Sequence, residues 1–186
     1  MFPKGTFLGR KMAQAKLAIP MWEDVLFDIN FARIIELGTA RGTFSLYLHL
    51  FCIERGADFY TYDNRGSLTK GPVHDLAGTA STFTQMDVLF GDSTLRPIFN
   101  LIEGEGITVL FCDNGNKQRE VAIFGSRLKP GDLLAVHDWG REINAEHIKA
   151  LSVPFEEVEV EPVDGITKFF MRCTRKQALD KLDKKA

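Results

Sequence analysis

The chain has 186 residues, 45% of them hydrophobic, which suffices for one α/β domain with a substantial core and argues against two. A net charge of -2 and a sequence pI near 6.1 exclude a global basic field for nucleic acid or anionic lipid. No apolar run approaches the roughly 18 residues that span a bilayer, and the N-terminus lacks the apolar core of a secretory signal. Three separated cysteines, Cys52, Cys112 and Cys173, form no Cys-x-x-Cys pair and fit a reducing, cytoplasmic setting.

Residues 1–22 carry Lys4, Arg10, Lys11 and Lys16 with no acid and read as a solvated leading segment. Ile19, Met21, Trp22, Val25, Leu26 and Phe27 then recur with helical spacing and predict a helix after Pro20. Residues 1–30 together read as an N-terminal lid bordering a pocket. Ile34, Ile35 and Leu37 predict a buried strand with Glu36 at its end. It runs into Gly38-Thr39-Ala40-Arg41-Gly42, a turn whose glycines tolerate positive φ, and on into a helix over Thr43 to Arg55 that stops at Gly56.

That glycine spacing is not the Gly-x-Gly-x-x-Gly turn that brings a helix N-terminus to a pyrophosphate. A carboxylate at such a turn suits a bound ammonium and repels a phosphate. Asp58 to Asp63 reads as a second strand with Asp63 at its carboxyl end, Asn64 to Gly66 as a turn, and Ser67 to Thr84 as loop with a short helix. Met86 to Ser93 reads as a third strand that delivers Asp92 and Ser93, before a helix containing Leu95, Ile98, Phe99, Leu101 and Ile102. Ile107 to Asp113 is a nearly continuous apolar run, as in strands buried on both faces. Lys117 to Arg127 reads as a helix, Leu128 to Asp132 as a turn, and Leu133 to Asp138 as a fifth strand ending in His137 and Asp138. Phe155–Val160 and Thr167–Cys173 predict a terminal hairpin, and residues 174–186 a solvated tail.

Acids therefore recur at successive strand ends, where open parallel sheets place ligands. Asp63 can accept from both hydroxyls of a ribose, and Asp92 or the Ser93 hydroxyl can meet an adenine amino group. His49, His74 and His147 stand at no strand end. Trp139 reads as a pocket wall, and Arg41 as solvent-facing or as a partner for a cofactor carboxylate.

Through Glu36-Leu-Gly-Thr-Ala-Arg-Gly42, Asp63, Gly91-Asp-Ser93, the Asp113 strand and Leu128-Lys-Pro-Gly131, residues 5–173 resemble the class I S-adenosylmethionine-dependent methyltransferases. Within that class, Phe7-Leu-Gly-Arg-Lys-Met-Ala-Gln14, Trp22 and Glu23 resemble the cephalosporin hydroxylase and rhamnosyl O-methyltransferase group, beside the catechol-type O-methyltransferases. The resemblance implies a Rossmann-like three-layer α/β sandwich with a mostly parallel seven-stranded sheet and an antiparallel last strand. It implies S-adenosyl-L-methionine as cofactor, with Glu36, Gly38, Thr39 and Gly42 beside its methionine part, Asp63 at the ribose, Asp92 and Ser93 at the adenine, and Asp113 also bordering it.

It further implies a cation site of Asp113, His137 and Asp138 for Mg2+ or another divalent ion. His137 departs from the carboxylate that those relatives use, so a histidine base oriented by Asp138 or Asp113 stays open beside the metal. Lys117 is a further candidate base. The implied reaction moves a methyl group to a hydroxyl oxygen of a small molecule or sugar, with no nucleic-acid or membrane partner, in a monomer or homo-oligomer. A non-catalytic protein that binds S-adenosylmethionine or a nucleoside on the same fold is the alternative.

Overall fold

A computed structural model describes residues 3–64, 82–161, 164–174 and 176–177. The chain opens not with a solvated segment but with an antiparallel hairpin, β1 (Lys4–Phe7) and β2 (Arg10–Ala15), turned at Leu8 and Gly9, both at positive φ. Helix α1 (Ala18–Leu26) begins two residues earlier than its Pro20 suggested and buries Ala18, Met21, Trp22, Val25 and Leu26 on one stripe. Then come β3 (Phe31–Leu37), α2 (Thr43–Arg55), β4 (Asp58–Asp63), β5 (Thr82–Gln85), α3 (Asp92–Glu103) and β6 (Ile107–Cys112). Helix α4 (Lys117–Phe124), a 3-10 turn (Gly125–Arg127), β7 (Leu133–Val136), α5 (Ala145–Lys149), β8 (Phe155–Val158) and β9 (Lys168–Arg172) complete the order.

Seven strands form one sheet in the order β5-β4-β3-β6-β7-β9-β8. Pairings from β5 to β7 are parallel, and β9 lies antiparallel between β7 and β8. This is the expected mostly parallel α/β sheet with an antiparallel last strand in sequence. The third strand differs from expectation. It occupies Thr82–Gln85, overlapping the end of the Ser67–Thr84 stretch read as loop, whereas residues 86–91 form no strand and Asp92 and Ser93 open α3. The expected turn and loop over 65–81, His74 and most of the 174–186 tail lie outside the described residues.

Alternation along the central strands supplies both faces of the sheet. Ile34, Phe59, Val109, Phe111, Leu133, Ala135 and Phe169 pack with α1 and α2, while Ile35, Leu37, Leu110, Cys112, Leu134, Val136 and Phe170 pack with α3 and α4. Trp22 anchors the first face, edge-on to Phe44, Phe111 and Phe169 with ring centroids 5.8, 4.9 and 5.1 Å away. Such pairs each add about 0.5–1.5 kcal/mol beyond area burial and fix α1 against β6 and β9. Among the described residues, no helix is long and apolar enough to cross a membrane.

Candidate active site

The sheet order reverses around β3: β4 lies on one side and β6 on the other, and the chain passes from one half to the other. Open α/β sheets hold ligands at this switch point, beyond the carboxyl ends of the strands. The turn after β3 is fastened across it. Gly38 and Thr39 donate their backbone N–H groups to Tyr62 O at 2.8 and 3.3 Å, and Ala40 N donates to Asp63 Oδ2 at 2.8 Å. Asp113 N donates to Leu37 O at 2.8 Å, so the same turn touches the residue that follows β6. Gly38 has φ 108°, and a Cβ there would lie 2.5 Å from Asp113 O. Gly38, Asp63 and Asp113, far apart in the chain, thus meet at one place.

Glu36 is buried under this turn, with Oε2 accepting from Ser45 Oγ at 2.5 Å and from Thr61 Oγ1 at 2.6 Å. Thr39 Oγ1 lies 2.5 Å from Thr61 Oγ1 and extends the network to the turn. Burial pushes the Glu36 carboxyl up to about 8, against the two hydroxyl donors that favour its anion. The sign follows directly. Between its ordinary value near 4.5 and about 8, the folded chain holds this proton and the unfolded chain does not, so stability falls as pH rises through that window and levels off above it. Glu36→Gln is expected to remove that slope, which amounts to about 3–5 kcal/mol for a shift of this size. Urea midpoints at pH 5 and pH 8 measure it; equal slopes in variant and parent would refute the assignment.

A second cluster lies beside the turn. Asp113 Oδ2 accepts from Gln14 Nε2 of β2 at 2.7 Å, and Asp113 Oδ1 faces His137 Nδ1 at 3.0 Å. Asp138 Oδ2 is 3.4 Å from the same Nδ1 and 2.9 Å from Lys117 Nζ. Lys117 Nζ also donates to Asn114 O at 2.8 Å, meets Glu142 Oε2 at 3.0 Å, and lies 3.8 Å from Asp113 Oδ1. Asp138 is held at φ 57°, a left-handed conformation that aspartate tolerates better than most residues. Three buried polar atoms around Asp113, Gln14 Oε1 and both ring nitrogens of His137, have no hydrogen-bond partner among the described residues, Nδ1 meeting Asp113 only as an ion-pair contact. Unsatisfied atoms of this kind at a strand-end crevice are places for a ligand group.

Burial pushes His137 down, but Asp113 and Asp138 outweigh it and leave the imidazole above its ordinary value. The balance at Asp138 runs the other way: burial raises it, and Lys117 and His137 carry it below the usual carboxylate range. Burial would also lower Lys117, yet Asp138, Asp113 and Glu142 hold it above the ordinary lysine value. An ammonium gripped by these acceptors has no lone pair to receive a proton. In this arrangement Lys117 is an ion-pair partner of Asp138 and Glu142. One turn further, Glu120 is buried, and burial lifts it to about 8 against the pull of Lys117 and the backbone of Asn114 and Asn116.

The structure thus gathers Glu36, Gly38, Thr39, Gly42, Asp63, Asp113, Lys117, His137 and Asp138 at the carboxyl edge. Asp92 and Ser93 are exposed at the start of α3, and Asp92 lines a groove of about 230 Å³ with Arg96, Phe99, Asn100, Glu103 and Arg127. No described contact joins either residue to the crevice. Asp87, two residues beyond β5, stands closer in sequence to that strand's carboxyl end than Asp92 does; in the Met86–Ser93 reading it lies inside the strand and not at its end. Gln14 was likewise missed as a site residue, having no chemistry of its own; only the hairpin brings it to Asp113. Trp139 packs on Phe170 at 5.3 Å between ring centroids, and Arg41 is exposed.

Sheet order and flanking layers give the fold seen in solved S-adenosylmethionine-dependent methyltransferases. No protein-family model and no curated protein matches the sequence. Solved structures do. CmcI in its apo form superposes with a TM-score of 0.67 at 14% identity, covering 91% of this chain and 76% of that one. A CmcI structure with SAH gives 0.55 at 16% identity over 72% of this chain, which spans 66% of that protein's length, just under two thirds. A SAM-dependent O-methyltransferase from Thermotoga maritima gives 0.54 at 14% identity, with 93% and 78% covered. An RNA methyltransferase from Salinibacter ruber in complex with S-adenosyl-L-homocysteine gives 0.55 at 15%, with 88% and 95% covered.

Proposed function

We propose that this protein binds S-adenosylmethionine at the β3 turn and transfers its methyl group to a hydroxyl oxygen of a small molecule or sugar. The observation that carries the reading is the convergence of Gly38, Asp63 and Asp113 with His137 at the switch point of the sheet. The fold shared with CmcI and the Thermotoga maritima enzyme supports it, and the net charge of -2 favours a small acceptor over RNA. Bound there, the cofactor supplies an already activated methyl on a positively charged sulfur, so alignment is the protein's main task.

Gly38 and Gly42 keep the turn open to the methionine part, and the carboxylates along the edge favour its ammonium. Asp63, already holding Ala40 N, is placed to accept from a ribose. His137 is the base. With Nδ1 turned to Asp113, Nε2 can take the hydroxyl proton as the oxygen–methyl bond forms and the sulfur–methyl bond breaks. Asp113 and Asp138 stabilise the imidazolium that results.

Isothermal calorimetry with S-adenosylmethionine and its demethylated product tests the binding step. Both ligands are expected to bind, and Asp63→Ala is expected to weaken them by about 2–4 kcal/mol, since it strips ribose acceptors and releases the turn. Failure of both ligands to bind the parent protein removes the proposal. Binding without turnover on sugars, catechols and phenols would instead favour a non-catalytic cofactor-binding protein, and turnover on RNA alone would move the acceptor class.

A further inference from the structure

We infer that Lys117 supplies, as a tethered ammonium, the positive charge that a divalent ion would bring to Asp113, His137 and Asp138, so that this crevice works without a metal. The inference rests on the methyltransferase reading of the same crevice and concerns how its acids are neutralised. The three groups do converge as cation ligands would, with one donor atom from each lying within 4.8 Å of the others. The two carboxylates of the trio are nevertheless already engaged from within the chain.

Asp113 Oδ2 is taken by Gln14 Nε2 and Asp113 Oδ1 faces His137 Nδ1, while Asp138 Oδ2 holds Lys117 Nζ at 2.9 Å. The Lys117 side chain is only 4% exposed, and a buried ammonium requires its counter-charges at close range. Its place is fixed by the fold. Asn116 caps α4 by accepting from Arg119 N, which sets Lys117 as the first helical residue, one turn beyond Asp113. Asn114 O and Glu142 Oε2 complete its shell from two further directions.

A divalent ion on Asp138 Oδ2 would sit about 2.1–2.5 Å from that oxygen and hence within roughly 5 Å of the ammonium. Two positive centres at that range, one of them on a buried side chain, repel strongly. The donor set therefore does not fit a metal while Lys117 stays in place. The cluster carries the carboxylates of Asp113, Asp138 and Glu142 against this single lysine, so taking the lysine charge away should uncover a cation site.

Manganese binding by electron paramagnetic resonance on the chelator-treated full chain tests this without any turnover assay. The parent protein is expected to leave added Mn2+ free in solution. Lys117→Met is expected to bind one ion on the order of a hundredfold more tightly or better, and the further change Asp113→Asn to abolish that gain. Should Lys117→Met fail to fold, Lys117→Gln removes the same charge while keeping a polar head. Stoichiometric Mn2+ binding by the parent that Asp113→Asn abolishes would overturn the inference, as would a folded lysine variant that binds no better than the parent. Calorimetry of S-adenosylmethionine binding in excess chelator reports separately on the methyltransferase reading, so the two can fail independently.

Discussion

Gly38→Ala is expected to cost about 3–5 kcal/mol of stability, a large share of the roughly 5–15 kcal/mol typical of a folded domain. Two penalties coincide. At φ 108° an alanine is in a region open essentially to glycine, and its Cβ would stand 2.5 Å from Asp113 O, 2.6 Å from Asp113 C and 2.7 Å from Asn114 N. These are backbone atoms and cannot rotate aside, so β3 and the segment after β6 must separate. Thermal unfolding should fall by about 10 °C for a chain of this size. The same displacement moves Asp113 away from His137, so cofactor affinity and transfer rate should fall together. A variant as stable as the parent would show that the turn does not approach Asp113 as described.

His137→Ala is expected to lower methyl transfer by about 10²–10⁴-fold with little change in cofactor affinity. That separation identifies a base that acts on the acceptor. Nε2 has no hydrogen-bond partner among the described residues, so truncation breaks no described bond at that atom. The stability cost should be modest too: Nδ1 loses its contact with Asp113, but Gln14 still holds the other oxygen and Lys117 stays with Asp138. Partial rescue by free imidazole would confirm that the missing group is a proton acceptor. A variant with full turnover would transfer the base role elsewhere, and loss of cofactor binding in step with rate would mark the residue as structural.

Much of the fold was legible because its central strands are buried on both faces. Val109 to Cys112 and Leu133 to Val136 are apolar without interruption, so each declares itself within a few residues, and the acid or histidine that follows marks its end. Helix α2 was equally plain, bounded by Gly42 and Gly56, both at positive φ. The edge strand β5 was not. Thr82-Phe-Thr-Gln85 is short and half polar, and its pairing with Tyr60 to Asp63 supplies what its own sequence does not. The more apolar Met86 to Phe90 drew the strand reading downstream, and Asp92 with it. The leading hairpin was hidden for a related reason: Leu8-Gly9 is a weak turn signal, and β2 is held partly by packing on α2.

By itself the sequence determined the central strands β3, β4, β6 and β7, the helices α2 and α4, the glycine turn after β3 and the acids Asp63 and Asp113, because each is set by residues adjacent in the chain. Only the tertiary structure decided that Gln14 covers Asp113, that His137 turns Nδ1 toward that same carboxylate, and that Lys117 spends its charge on Asp138 and Glu142. Those choices depend on which side chains are desolvated together, and desolvation is a property of packed neighbours that periodicity along one segment does not encode.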